Sequence, residues 1–128
     1  MDPAAVEAAV RRLDPMGVEW VTYTCQLSGE KEAILIVGDQ LATRLANSLP
    51  AAEDAGGTKI LAALYSAELC ECDVATLTRI AEDDVVSQLQ KFAALGVIEH
   101  RKIHGMNYYR LTSGDTRRIF QESIEALI

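Results

Sequence analysis

Two cysteines, Cys70 and Cys72, stand one residue apart among three carboxylates in the stretch Glu68-Leu69-Cys70-Glu71-Cys72-Asp73, and the 128-residue chain holds one other, Cys25. Thiolate sulfur selects soft ions such as Cd, Pb, Hg, Zn or As(III). On a regular helix two residues at i and i+2 are rotated by about 200°, so Cys70 and Cys72 do not chelate easily as a pair. In a frayed first turn the geometry is freer, and the helix dipole favours the thiolate there. A tight trigonal site needs a third sulfur, and Cys25, 45 residues before Cys70, is the sole candidate. The competing reading of Cys25 is a small buried hydrophobe.

Composition bounds the rest. With 128 residues and 49% hydrophobic content, the chain is long enough for one domain with its own core and a small extension. The longest apolar run, Ile60 to Tyr65, falls far short of the roughly 20 residues that cross a bilayer. Met1-Asp2-Pro3 lacks the basic and apolar regions of a signal peptide. A soluble, cytoplasmic protein without membrane partners is therefore expected. In that compartment three cysteines argue for metal, redox or burial rather than a disulfide framework. The net charge of −7 is uneven: residues 1–56 carry four basic and nine acidic side chains, residues 57–128 eight and ten. Excess acid lowers the expectation of nucleic-acid binding but leaves it open where cations share one face. No phosphate loop is present and His100 and His104 alone make no triad, so an enzyme is not expected.

The elements that must position the thiols follow from local signals. Asp2 to Leu13 reads as a short helix with Val6, Val10 and Leu13 on one face. Val18 to Leu27 is β-branched and aromatic, with Val21, Tyr23, Cys25 and Leu27 on one side of an extended chain. Ser28-Gly29-Glu30-Lys31 either closes a hairpin onto Glu32–Val37 or starts a helix with Ser28 as cap; the hairpin is favoured. Asp39 to Leu49 is helical, with Leu41, Leu45 and Leu49 on one stripe, and Pro50 to Gly57 is a linker. Thr58 then caps a helix to about Ser66 that turns Ile60, Leu61, Leu64 and Tyr65 inward. Cys70–Thr78 forms a second helix, with Val74, Leu77 and Ile80 as its apolar side. After a turn near Arg79–Ala81, Glu82–Leu95 forms a third, with Val85, Leu89, Phe92 and Ala93 inward. Gly96 ends it. Val97–Lys102 and Met106–Leu111 are strands joined by Ile103-His104-Gly105. A last helix over Gly114–Ile128, capped by Thr112 or Ser113, carries Phe120, Ile124 and Leu127. The expected fold is mainly α with a small β component: a winged helix-turn-helix over 57–128 with a helical and extended N-terminal extension over 1–56. Trp20 and Tyr23 are expected in the core or a dimer interface.

Residues 58–111 resemble the ArsR/SmtB family of winged-helix metalloregulators. The resemblance is carried by Ile60-Leu61-Ala62-Ala63-Leu64, Glu68-Leu69-Cys70-Glu71-Cys72-Asp73, Val85 with Ser87-Gln88-Leu89, Leu95-Gly96-Val97-Ile98 and Tyr108-Tyr109-Arg110-Leu111. The Glu-Leu-Cys-x-Cys-Asp motif is similar to that of the arsenic-, cadmium- and lead-sensing branches. The resemblance implies a homodimeric repressor that leaves its operator DNA when a thiophilic ion binds Cys70 and Cys72, with Cys25 completing the site from the same or the partner subunit. Val21 stands where the cadmium/lead pattern has a second N-terminal cysteine. Three sulfurs without a fourth favour As(III) or Sb(III), Pb or Hg over tetrahedral Cd or Zn. The family's other site, on the last helix, has no counterpart: that helix carries Asp115 and Arg117 and no histidine.

The DNA half of this expectation meets an obstacle. A recognition helix presents its N-terminal residues to base edges, and here these are Glu82, Asp83 and Asp84. Carboxylates beside phosphates cost affinity, although acids in a first helical turn also stabilise the helix through its dipole. The DNA-competent groups that remain are Arg79, Ser87, Gln88, Gln90 and Lys91, and on the wing Arg101, Lys102, His104 and Arg110. Two alternatives stand beside a repressor: a winged-helix module whose acidic helix binds a protein partner, and a thiol redox or persulfide switch using Cys70 with Cys25.

Overall fold

The structure is a computed structural model and describes residues 18–46, 54–112, 117–118 and 121–122, the side chains of 18–20 excepted. The β-branched run does form a hairpin. Strand β1 (Val18–Thr24) pairs antiparallel with β2 (Lys31–Val37), Val21 opposite Ile34. The loop is closed by Cys25, whose N–H donates to the Glu30 carbonyl at 3.1 Å and whose carbonyl accepts from Gly29 N–H at 2.8 Å. Ser28 caps no helix; its hydroxyl accepts from Glu30 N–H.

Helix α1 (Asp39–Ala46) buries Leu41, Ala42 and Leu45, while Leu49, expected on the same stripe, lies outside the described residues. Helix α2 spans Ala55–Ser66 and corrects the expected start at Thr58. Asp54 is the cap: its carboxylate accepts from Gly57 N–H at 2.8 Å, which satisfies an orphan donor of the first turn. Thr58 is instead fully buried, with its hydroxyl donating to the Asp54 carbonyl. Ala55–Gly57, expected in the linker, are thus helical. Gly57 is there because α2 crosses close to the next helices: a Cβ at this position would meet Phe92 at 3.1 Å.

The second correction falls on the cysteine motif. Leu69–Cys70 is a two-residue strand, β3, and helix α3 begins only at Glu71 and runs to Thr78. A strand this short has no sequence period to betray it; the partner strand creates it, pairing Leu69 with Tyr109 and Cys70 with Tyr108. Arg79, in the left-handed region at φ 60°, turns the chain into α4 (Glu82–Ala94), which buries Val85, Leu89 and Phe92. Strands β4 (Ile98–Ile103) and β5 (Met106–Leu111) complete a sheet of order β3-β5-β4. Their connection is the two-residue turn His104-Gly105, both at positive φ (50° and 83°), as the twist of a tight hairpin requires. The order α2-β3-α3-α4-β4-β5 is that of a winged helix-turn-helix, mainly α with a small β component.

One core unites both parts. Cys25, Ile34, Leu35 and Val37 from the hairpin join Leu41, Leu45, Ile60, Leu64, Val74, Leu89, Phe92 and Leu111 in a single buried cluster. The hairpin is also fastened by its backbone, since Leu35 N–H donates to Ser66 Oγ on α2 at 3.0 Å. The expected helix over 2–13, with Val6, Val10 and Leu13, lies outside the described residues. Of the last helix, 117–118 and 121–122 are described and helical. Arg117 donates to the Tyr65 carbonyl and lies over the Tyr65 ring, and the Gln121 amide donates to the Tyr65 hydroxyl. Phe120, Ile124 and Leu127 lie outside the described residues.

Candidate functional site: the thiol–carboxylate junction and the winged face

The three carboxylates around Cys70 and Cys72 have separate structural duties. Glu68 accepts two hydrogen bonds from the guanidinium of Arg101 on β4, at 2.7 and 2.8 Å. Glu71, the first residue of α3, accepts from the Tyr109 hydroxyl on β5 at 2.8 Å. Asp73 is fully buried and accepts from the Tyr23 hydroxyl on β1 at 2.6 Å and, more weakly, from Gln26 N–H at 3.4 Å. The six-residue motif therefore bolts the wing, the start of α3 and the N-terminal hairpin to one another. Sequence reasoning assigned none of these roles, because the partners lie 33 to 50 residues away and a single sequence carries no trace of such pairing.

The thiols occupy different environments. Cys25 and Cys70 are buried, and Cys72 is exposed on the first turn of α3. Burial pushes the Cys25 thiol up to about 12, with further contributions from Glu32, Asp73 and Cys70. Cys70 is raised as well. Desolvation is the largest influence, and the N–H groups of Asp73 and Cys72, which favour the thiolate, do not outweigh it. The dipole advantage expected of a first-turn thiol is thus overridden at Cys70, because β3 draws the residue into the core. Burial and the bond to Asp73 also hold the Tyr23 phenol above its ordinary range, and Tyr109 is pushed up to about 12 by burial and Glu71.

Donor chemistry alone suits a soft ion, but the arrangement does not form a coordination shell. Among the described residues no three His, Cys, Asp or Glu side chains are grouped so as to hold a metal. Asp73 is committed to Tyr23 and Gln26, and Cys72 faces solvent while Cys25 and Cys70 do not. In this conformation the thiol trio does not fit a bound ion.

The winged face holds the expected DNA-competent residues with differing freedom. Arg79, Ser87, Gln90, Lys91, Lys102 and His104 are exposed, and Gln88 is half-buried, near Gly57 of α2. Arg101 is engaged by Glu68, and Arg110 by Glu99 at 2.7 Å across the wing. Glu82, Asp83 and Asp84 are all exposed at the head of α4. The face thus has two of its wing arginines ion-paired and three exposed carboxylates at the head of α4. His100 stacks at a tilt on Tyr109, with ring centroids 5.7 Å apart.

The chain is similar to a transcriptional repressor SmtB homolog from Synechocystis sp., 26% identical over 86 residues that cover 67% of this chain and 65% of that protein. The chain thus matches somewhat under two thirds of the relative's length. No family model matches. Among the described residues no helix is long and apolar enough to cross a membrane.

Proposed function

We propose that the protein is a winged-helix transcription regulator, a repressor that binds operator DNA as a homodimer through α4 and the β4–β5 wing. The observation that carries this reading is the complete α2-β3-α3-α4-wing unit, with similarity to a curated repressor over 86 residues in support. Arg79, Ser87, Gln90, Lys91, Lys102 and His104 would supply the contacts, and Arg101 and Arg110 would do so on leaving their carboxylates. Phosphate contacts by such groups set affinity, and base-edge contacts set sequence.

The input we propose for it is a thiophilic ion taken by Cys70, Cys72 and Cys25, with As(III), Sb(III), Pb and Hg ahead of Cd. Support comes from donor chemistry and from position, because Cys70 joins β3 to α3 beside residues that hold the wing. The thiols as arranged do not gather around one point, so an ion taken by all three requires a conformation other than this one. A ligand releases DNA only through its different affinity for the free and bound conformations.

A specific observation favours a second reading. Glu82, Asp83 and Asp84 are exposed while two wing arginines are paired internally, which suits a basic protein partner better than a phosphate backbone. Fluorescence anisotropy on the chain's own promoter, in low salt and with each ion in turn, separates the two. Specific binding that an ion reverses in wild type but not in Cys70→Ser supports the regulator. Dimerisation without DNA affinity sinks it and leaves the partner reading.

A further inference from the structure

The hairpin and the helix-turn-helix enclose a cleft that shares Tyr23 with the carboxylate junction but is lined by none of the thiols. It has a volume of about 390 Å³, within the range of roughly 300–1,000 Å³ typical of small-molecule sites. Val21 on β1, Ile36 on β2 and Leu77 on α3 give it apolar lining, and its charged lining is Lys59, Arg79 and Asp39. In a chain of net charge −7, two cations against one carboxylate is a local reversal of sign.

Neither cation is firmly committed. Lys59 pairs with Asp39, whose side chain is 87% exposed, and an ion pair with one partner in solvent contributes little. A ligand carboxylate can take the place of Asp39 there at small cost. Arg79 forms no ion pair among the described residues. It also sits at φ 60°, a left-handed conformation that side-chain-bearing residues adopt rarely. Glycine relieves that strain and arginine does not, so this chain carries a charge at a strained turn on the rim of the cleft.

We propose that this cleft binds a small organic acid, its apolar body against Val21, Ile36 and Leu77 and its carboxylate between Lys59 and Arg79. Arg79 closes α3 and leads into α4, so an occupant spans the hairpin and the turn that aims α4. The site is distinct from the thiols and stands whether or not the chain binds DNA.

The test is a backbone-amide NMR titration of the full chain with benzoate, 3-phenylpropionate and hexanoate, and with benzyl alcohol and hexanol as uncharged counterparts. Saturable shifts centred on residues 36–39 and 76–79 are expected for at least one acid, at a Kd on the order of 1 mM or below. The alcohols should bind at least about tenfold more weakly, ~1.4 kcal/mol. Lys59→Met and Arg79→Gln should each weaken binding. Thr76→Tyr, at an exposed rim position of α3, should block the cleft with the fold intact by circular dichroism. Absence of saturation up to about 20 mM, saturation centred elsewhere, equal affinity for acid and alcohol, or full binding by Thr76→Tyr would each overturn the proposal.

Discussion

The hydroxyl of Tyr23 donates a 2.6 Å hydrogen bond to the fully buried carboxylate of Asp73, joining a strand of the N-terminal hairpin to the first turn of α3 across 50 residues of sequence. Asp73 sits beside Cys72 and three residues from Cys70, so this bond ties the segment that carries both thiols to the hairpin. A hydrogen bond to a charged buried acceptor contributes about 1.5–3 kcal/mol. Tyr23→Phe is therefore expected to lower stability by that amount in urea unfolding at pH 7, with the slope unchanged. Asp73→Ala should cost more, since it also strands the phenol and Gln26 N–H. An unaltered midpoint for Tyr23→Phe would mean that water replaces the phenol at no cost and that the hairpin is held by apolar contact alone.

Thiol reactivity should follow burial rather than proximity in sequence. Cys72 is expected to react with a disulfide reagent within seconds to minutes at pH 8, whereas Cys25 and Cys70 should react at a rate set by opening of the fold. Mass spectrometry of partly labelled protein reads the order directly. Labelling of Cys25 before Cys72 would contradict the packing described.

The same shifts fix the direction of the alkaline response. Cys25 rises from 9.0 to about 12 and Tyr109 from 10.0 to about 12. The fold thus favours their protonated forms, and the unfolded chain loses these protons first. Their contribution is intact below about pH 9 and is lost as pH climbs towards 12. Urea midpoints at pH 8, 9.5 and 10.5 should fall in that order, and Cys25→Ala should flatten the drop. A midpoint that stays level to pH 10.5 would place Cys25 in contact with solvent.

Two adjacent glycines should respond oppositely to alanine. A Cβ at Gly57 meets the buried Phe92 ring at 3.1 Å, while one at Gly56 has nothing nearer than 3.4 Å. Alanine favours a helix over glycine by up to about 1 kcal/mol, so Gly56→Ala should be neutral or stabilising. Gly57→Ala should lose that gain to overpacking and be destabilising by about 1–2 kcal/mol. Thermal melts of both variants check the contrast.

The wing pair distinguishes the functional readings. Releasing Arg101 with Glu68→Gln should change stability little, because the arginine side of the pair stands in solvent. Under the regulator reading it frees one cation for phosphate, steepening the salt dependence of DNA binding by about 0.9 in log–log slope. Glu82→Gln with Asp83→Asn and Asp84→Asn should tighten DNA binding further. If the acidic turn serves a basic partner instead, that triple change should leave DNA binding absent at low salt.

Local sequence by itself favoured the hairpin over a helix capped by Ser28, and it marked the helix from Glu82, the turn near Arg79–Ala81 and the wing. Each rests on contacts within a few residues: β-branched alternation before Ser28-Gly29, the spacing of Val85, Leu89 and Phe92, and Ile103-His104-Gly105 between two strands, of which the structure leaves only His104-Gly105 in the turn. Cys25, Cys70 and Cys72 also stood out unaided, as the only thiols in the chain. Tertiary structure decided what surrounds them. Strand β3 exists because Tyr108 and Tyr109 pair with it, and that pairing buries Cys70, so desolvation outweighs the helix dipole. The partners of Glu68, Glu71 and Asp73 and the cleft beside Arg79 likewise depend on segments far apart in sequence. Periodicity records which face of an element turns inward. It does not record which distant side chain waits there, and at this motif those distant side chains set each thiol's exposure and each carboxylate's role.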